Sequence, residues 1–257
     1  MYQLPDVTFC ILFKADSNER LENFKITFSF LYRNFAAYFS IVEVGKSPIL
    51  KLNLKRCTYN FYLDVDPELN LTKYKNLQTL QCKTKYIGLW DCDVIIAPDQ
   101  VFECIYQLRT GDYQISSPYN GRLIELNPFF KQIYKSNHDL NFIQNTLRYQ
   151  EPMYGTISVG AAIFFDLDFY IEMGMDNRNF RHWGHEDSER IKRAEIFGGK
   201  MFRFNGPAYH LYHPRLKLSK EKSSFNRKQS LSEYLKVCAL SQESIKSFIK
   251  ELRQIKE

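Results

Sequence analysis

No basic leader, no long apolar run, no cysteine pair at metal-binding spacing and no glycine-rich turn after the first strand occur in this chain of 257 residues. Each absence excludes something. Met1 leads straight into Tyr2-Gln3-Leu4-Pro5-Asp6, without a charged n-region or a small-residue cleavage site, so a secretory signal is not expected. The apolar runs are broken by charges well short of the roughly 18 residues that a membrane-spanning helix needs. Cys10, Cys57, Cys82, Cys92, Cys104 and Cys238 form no C-x2-C pair, so reduced thiols, mostly in the core, are expected rather than disulfides or a zinc knuckle. A cytoplasmic location follows as the expectation. Phe13 to Arg20 holds no glycine, which counts against the basic phosphate loop of a sugar nucleotidyltransferase. Internal repeats and low-complexity segments are also missing.

The body of the chain has no surplus charge either. From Pro214 to Glu257 there are 11 Lys/Arg against 5 Asp/Glu, and the rest is balanced at 24 of each sign. The net charge of +6 therefore sits in the tail, which argues against a nucleic-acid partner. Hydrophobic residues at 44% and charged residues at 25% are near the globular average, and the length is enough to bury a core. Aromatic residues reach 16%, with 21 Phe and 17 Tyr, pointing to thick apolar packing or a site that stacks rings.

The first half alternates strand-like and helix-like stretches. Val7–Phe13 is nearly all apolar, as a buried parallel strand is. Asp16-Ser17-Asn18-Glu19 offers caps for a helix carrying Leu21, Phe24, Ile26, Phe28 and Leu31. Strands are expected at Tyr38–Val44, Thr58–Leu63 and Tyr86–Trp90, and a helix over Asn70–Gln81. This alternation predicts an α/β fold with a mainly parallel sheet, whose ligands sit at the carboxyl ends of the strands. Arg122 to Glu151 shows no clear period. Further expectations are a strand at Gly160–Phe165, a helix over Glu186–Phe197 stopped by Gly198-Gly199, a short strand at Met201–Phe204 and one amphipathic helix over Ser230–Ile255.

Four groups of residues could carry chemistry. Asp91 and Asp93, at i and i+2 after an apolar strand, share a side if the chain stays extended, and paired carboxylates suit a hard divalent cation. D-x-D is also common at solvated strand ends. Trp183-Gly184-His185-Glu186-Asp187 sets a large ring and a tight turn before two carboxylates, one of which could act as a base; acidic residues also open helices for purely electrostatic reasons. His210 and His213 are two of only five histidines, and imidazoles beside carboxylates favour Mn²⁺ over Ca²⁺. Surface or core-edge imidazoles are the plain alternative. Asn70, Lys73 and Asn76 share a stretch of helix before the D-x-D strand, and each is also an ordinary surface residue type.

In this order the pieces resemble the GT-A glycosyltransferases, nearest to those with a galactosyltransferase-type C-terminal half: β-1,4-galactosyltransferases, bacterial chondroitin polymerases and, more distantly, polypeptide N-acetylgalactosaminyltransferases. The likeness runs from about Val7 to Arg215. It rests on Phe13-Lys14-Ala15-Asp16 with Arg20-Leu21-Glu22-Asn23-Phe24, on Asn70 to Asn76, on Leu89-Trp90-Asp91-Cys92-Asp93-Val94 and on Gly160-Ala161-Ala162. It continues through Asp176 to Trp183-Gly184-His185-Glu186-Asp187 and closes on His210-Leu211-Tyr212-His213-Pro214-Arg215.

The resemblance implies a GT-A, Rossmann-like sheet flanked by helices. One domain would span 1–215, with a nucleotide-sugar half over 1–120 and an acceptor or catalytic half over 121–215. A basic loop and C-terminal helix would occupy 216–257. It implies Asp187 as general base with Glu186 binding the acceptor, and Asp93 as the main ligand of Mn²⁺ or Mg²⁺ with Asp91, His213 and His210. Asp16, Arg20, Asn70, Lys73, Asn76, Asp91 and Trp183 would hold the donor. The implied activity is metal-dependent, inverting transfer from a nucleoside-diphosphate sugar, UDP favoured, to a glycan or glycolipid hydroxyl, as in bacterial surface polysaccharide synthesis. A non-catalytic sugar-nucleotide-binding scaffold is the alternative. The basic stretch Arg215–Lys228, with six Lys/Arg and one Glu, suits a lid, a patch in peripheral contact with the inner membrane surface, or a solvated linker.

Overall fold

A computed structural model describes residues 1–14, 16–66, 69–155, 157–180, 184–214 and 223–254. The centre is a seven-stranded sheet. β1 (Tyr2–Phe13) lies between β2 (Phe35–Gly45) and β4 (Tyr86–Asp91), and β3 (Cys57–Leu63) closes that edge; all of these pairs are parallel. β8 (Ala162–Asp166) runs antiparallel between β4 and β6 (Ile115–Ser117), and β9 (Met201–Arg203) follows β6. The sheet is thus mainly parallel with one reversed strand in its middle. It also runs without a break from the first half of the chain into the second.

Helices α1 (Asn18–Asn34), α2 (Leu71–Gln81) and α3 (Pro98–Arg109) connect these strands. Their starts follow local rules. Ser17 caps α1 by accepting the Arg20 N–H, Asn70 caps α2 by accepting the Lys73 N–H, and Pro98 opens α3, where its missing N–H has no cost. Phe9, Phe39, Trp90 and Phe164 meet in the core at ring distances of 5.5–5.6 Å from Phe9, so these rings are packing and not a ligand platform. All six cysteines are free; three are buried and three half-buried. No described helix is long and apolar enough to cross a membrane.

The unperiodic stretch 122–151 resolves into short pieces: β7 (Leu123–Leu126), α4 (Pro128–Asn137), α5 (Leu140–Asn145) and one turn of 3-10 helix. β7, α5 and the 3-10 turn are too short to show a period, and α4 shows its own over only ten residues. β7 joins β5 (Val94–Ile95) and β10 (Ala208–Leu211) in a second, three-stranded sheet ordered β5-β10-β7. After β8 come α6 (Leu167–Glu172) and α7 (Glu186–Phe197), the latter ended by Gly198 at φ +103°. The single C-terminal helix expected over Ser230–Ile255 is two, α8 (Ser223–Cys238) and α9 (Gln242–Gln254). The chain turns at Ser241, whose hydroxyl accepts the Ser244 N–H and starts the second helix, and Ile255 lies outside the described residues. Val237, Ile245 and Ile249 of this pair are buried in a cluster with Ile196 and Phe197 of α7.

Candidate functional site

The site lies at the carboxyl ends of β1 and β4. Extended alternation does not survive there: β4 ends at Asp91, and the chain turns through Cys92 and Asp93 before β5. Asp93 therefore parts from Asp91. β10 runs antiparallel to β5, with His210 opposite Val94, and the Leu211 N–H donates to the Asp93 carbonyl at 2.8 Å. This register sets His210 Nε2 3.6 Å from Asp93 Oδ1, and the turn after β10 returns His213 Nε2 to 3.3 Å from Asp93 Oδ2. Asp93, His210 and His213 offer ligand atoms that all lie within 4.8 Å of one another. Asp91 stands outside that group but within the field of Asp93 and His210, and both histidines are in it.

The exit of β10 is held firmly. Asn23 Nδ2 of α1 donates to the carbonyls of Leu211 (2.8 Å) and Tyr212 (3.2 Å), and Lys131 of α4 also reaches the Tyr212 carbonyl. Burial works against ionisation of Asp93, but the two imidazoles and Arg20 outweigh it and hold its carboxyl well below the usual range. Burial likewise opposes the charge on His210, and the Asp93 carboxylate raises it. One carboxylate and two imidazoles form a mixed O/N donor set that fits Mn²⁺ better than Mg²⁺, which prefers oxygen. His210 Nδ1 is buried with no partner.

A second group of charges comes from α7. Glu186 and Asp187 open that helix. Glu186 is buried, its Oε2 accepts the Gly184 N–H at 2.7 Å, and burial, then the neighbouring Asp187, push its pKa up to about 7. Asp187 is only partly covered. Its Oδ1 meets Arg190 Nη2 at 2.8 Å and Lys75 Nζ at 3.8 Å. Its Oδ2 rests on the backbone of Gly160, where an added Cβ would lie 1.8 Å away. Asp91 stands between the two groups. Desolvation by the surrounding protein raises its pKa to about 7; Lys75 opposes that rise, and the Asp93 and Asp187 carboxylates add to it.

Behind Asp187 runs a buried polar seam. Arg190 forks onto Asp176, through Nε to Oδ1 and through Nη2 to Oδ2 at 2.9 Å. Tyr170 donates to Asp176 Oδ1 at 2.6 Å, and the Asn76 amide exchanges two 2.8 Å bonds with the Asp176 backbone. Asn76 thus ties α2 to the loop before α7.

The remaining expected donor residues fall as follows. Asp16 and Arg20 pair at 3.5 Å at the start of α1. Burial opposes the charge of Arg20, but Cys92, Asp93 and Asp16 raise its pKa, which places it beside the Asp93 turn. Asn70 is used as the cap of α2, receiving both the Lys73 N–H and the Thr72 hydroxyl. The Lys73 ammonium lies 5.4 Å over the Tyr74 ring, on the side of Asp64 rather than Asp187. Trp183 lies outside the described residues.

Two participants escape the sequence reading. Lys75 is buried against Asp187 and within the field of Asp91 and Asp176. Its signal was a buried face of α2 made of Thr72, Lys75, Asn76, Gln78 and Thr79, polar where a packing face should be apolar. The other is α8. Ser230 Oγ accepts the His185 N–H at 2.7 Å, Tyr234 stacks on the His185 ring at 5.7 Å, and Glu233 accepts from the Asn177 and Asn179 amides. A Cβ on Gly184 would lie 2.2 Å from Ser230 Oγ, so this brace requires glycine there. No local pattern announces contacts of such long range.

No protein-family model matches the sequence, and no curated protein sequence does. Solved structures match in shape. A crystal structure of GalNAc-T7 with UDP, GalNAc and Mn²⁺ superposes at a TM-score of 0.58 and 12% identity, over 97% of this chain and 54% of that one. The catalytic domain of Drosophila β1,4-galactosyltransferase 7, in complex with xylobiose, superposes at 0.46 and 15% identity, over 79% of this chain and 65% of that one. The chain spans about half the length of GalNAc-T7. Its fold is of the GT-A glycosyltransferase type.

Proposed function

We propose that the chain is a metal-dependent glycosyltransferase that moves a sugar from a nucleoside diphosphate, UDP favoured, to a hydroxyl of a glycan or glycolipid, with inversion, in the synthesis of a bacterial surface polysaccharide. One observation carries this reading. A compact Asp93–His210–His213 donor set and a partly open Asp187 carboxylate both lie within the field of Asp91 at the carboxyl end of β4. Both solved structures named above are of glycosyltransferases, one with UDP and Mn²⁺ and one with a glycan.

Asp93, His210 and His213 would hold the cation, which neutralises charge on a departing diphosphate when bound. Asp187 takes the proton of the acceptor hydroxyl, opposite the leaving group. Lys75 and Arg190 keep it aimed, and the Gly160 backbone leaves room for it. Glu186 shapes the turn before it. A base of this kind contributes about 10²–10⁴-fold, so Asp187→Asn lowers turnover by about that factor and leaves donor binding intact. Thermal shift with UDP-, GDP- and dTDP-sugars, with and without Mn²⁺, is the first test. A Mn²⁺-dependent rise with one nucleotide class, lost in Asp93→Ala, supports the reading. Equal shifts without the metal, or none with any donor, overturn it.

A further inference from the structure

We propose that an apolar groove between α1 and the loop after β2 docks onto an anionic lipid surface. This inference does not rest on the transferase reading. α1 presents Leu21, Phe24, Phe28 and Tyr32 along one stripe, at helical spacing. Residues 46–56, which carry no regular structure, lie across from it and close a groove of about 560 Å³ with Ile49, Leu50, Leu52 and Leu54. Ile49 is 49% exposed and Leu54 40%, although each has aliphatic neighbours that are covered.

The loop is built to hold these side chains out. Glu43, buried at the end of β2, accepts the N–H groups of Ile49 (2.8 Å) and Leu50 (3.1 Å), and Tyr59 of β3 donates to the same carboxylate at 2.6 Å. A buried carboxylate committed to two backbone amides fixes the loop's course. Free of such a tie, the loop could fold its exposed isoleucine and leucine inward.

The surroundings are cationic. Lys25 and Lys51 line the groove, and Lys46, Lys55 and Arg56 belong to the same loop; all five are exposed, and among the described residues none is paired with a carboxylate. No acidic residue occurs between Gly45 and Cys57. The partner is therefore anionic. A second copy meeting this face would set like charges against each other. Protein interfaces favour Arg, Tyr and Trp and are poor in Lys. Here four of the five cations are lysine and the exposed apolar groups are aliphatic, the pairing that anionic headgroups and acyl chains accept. Lysine stems also lie along apolar surface while their ammonium groups reach outward. Because α1 begins at the cleft with Arg20, a membrane held along this face would lie beside the cleft mouth.

The test is flotation of the whole chain with vesicles of phosphatidylcholine alone or with about 30 mol % phosphatidylglycerol. The protein floats with the anionic vesicles and not with the neutral ones. Lys25→Glu with Lys51→Glu lowers that partition by about tenfold or more, and Ile49→Ser with Leu54→Ser lowers it while leaving the melting temperature unchanged. No flotation with anionic vesicles overturns the proposal. So does flotation that both double variants retain, which would assign the contact to another surface. Binding of polyglutamate without binding of vesicles would assign the groove to an acidic protein instead. A dimer in sedimentation velocity that the same substitutions dissolve would assign it to a second copy.

Discussion

Gly160 and Asp187 show how little room the site leaves. The Asp187 carboxylate lies where any side chain at Gly160 would have its first carbon. Gly160→Ala therefore pushes the carboxylate off its line to Arg190 and Lys75. The expected outcome is a loss of turnover of at least about 10²-fold, near that of deleting a base, with Mn²⁺-dependent nucleotide binding retained; calorimetry and initial rates on one preparation separate the two. Glu186 makes a different prediction. Its pKa rises from an ordinary 4.5 to about 7 on folding. The folded state then holds the proton more tightly than the unfolded one, so the stability this group contributes is full below pH 4.5. It declines as pH rises, and the decline ends near pH 7. Glu186→Gln should flatten the fall in melting temperature across that window. An unchanged slope would mean that the buried carboxyl ionises in the fold as freely as in water.

Among the elements, α8 and α9 have the most to answer for. They cover α7 and hold the turn that presents its two carboxylates. Ser230→Ala removes the acceptor of the His185 N–H, a change of about 1 kcal/mol. It should lower kcat more than it lowers the melting point, because the turn loosens while the helix pair stays packed. Ile249→Ala, in the cluster with Phe197, does the reverse and costs about 2–5 kcal/mol. What the sequence made legible follows from range. Caps such as Ser17 and Asn70, the apolar run of β1 and the glycine stop after α7 are local, and their elements stand where the pattern puts them. The order Asp91–Asp93, Glu186–Asp187, His210–His213 was legible because the members of each pair lie within three positions of one another in the chain. What was not legible needed contacts across the fold. Lys75 counts only because α7 stands over it. The turn at Cys92 and Asp93, which ends the extended alternation after Asp91, carries no signal of its own. α8 matters through a serine that resembles any other, and the break at Ser241 hides in an otherwise unbroken amphipathic run.

At the scale of the whole molecule, the sheet and the seam join the two halves of the chain. β8 comes from the second half and lies between strands β4 and β6. Asp176 collects Asn76 from α2, Tyr170 from α6 and Arg190 from α7. Arg190→Met leaves Asp176 buried without its cation and should cost about 3–5 kcal/mol, a large part of a marginal total. Because the halves share this centre, unfolding followed by far-ultraviolet circular dichroism and by tryptophan fluorescence should coincide, in the variant as in the wild type. Two separated transitions would show that the halves fold apart.

The small sheet has a consequence for time as well as for place. Asp93 and His210 face each other across β5 and β10 but are separated by nearly half the chain. An ion held by Asp93, His210 and His213 would close that whole intervening loop, and opening β10 from β5 would then require its release. The Leu211 amide, whose only route to exchange is loss of its bond to the Asp93 carbonyl, becomes the clock for that event. Its exchange with deuterium should slow in proportion to Mn²⁺ while amides at the far edge, in β3, keep their pace. The metal site would then act as a latch on one strand, and the concentration of free ion would set how long the cleft stays assembled between turnovers.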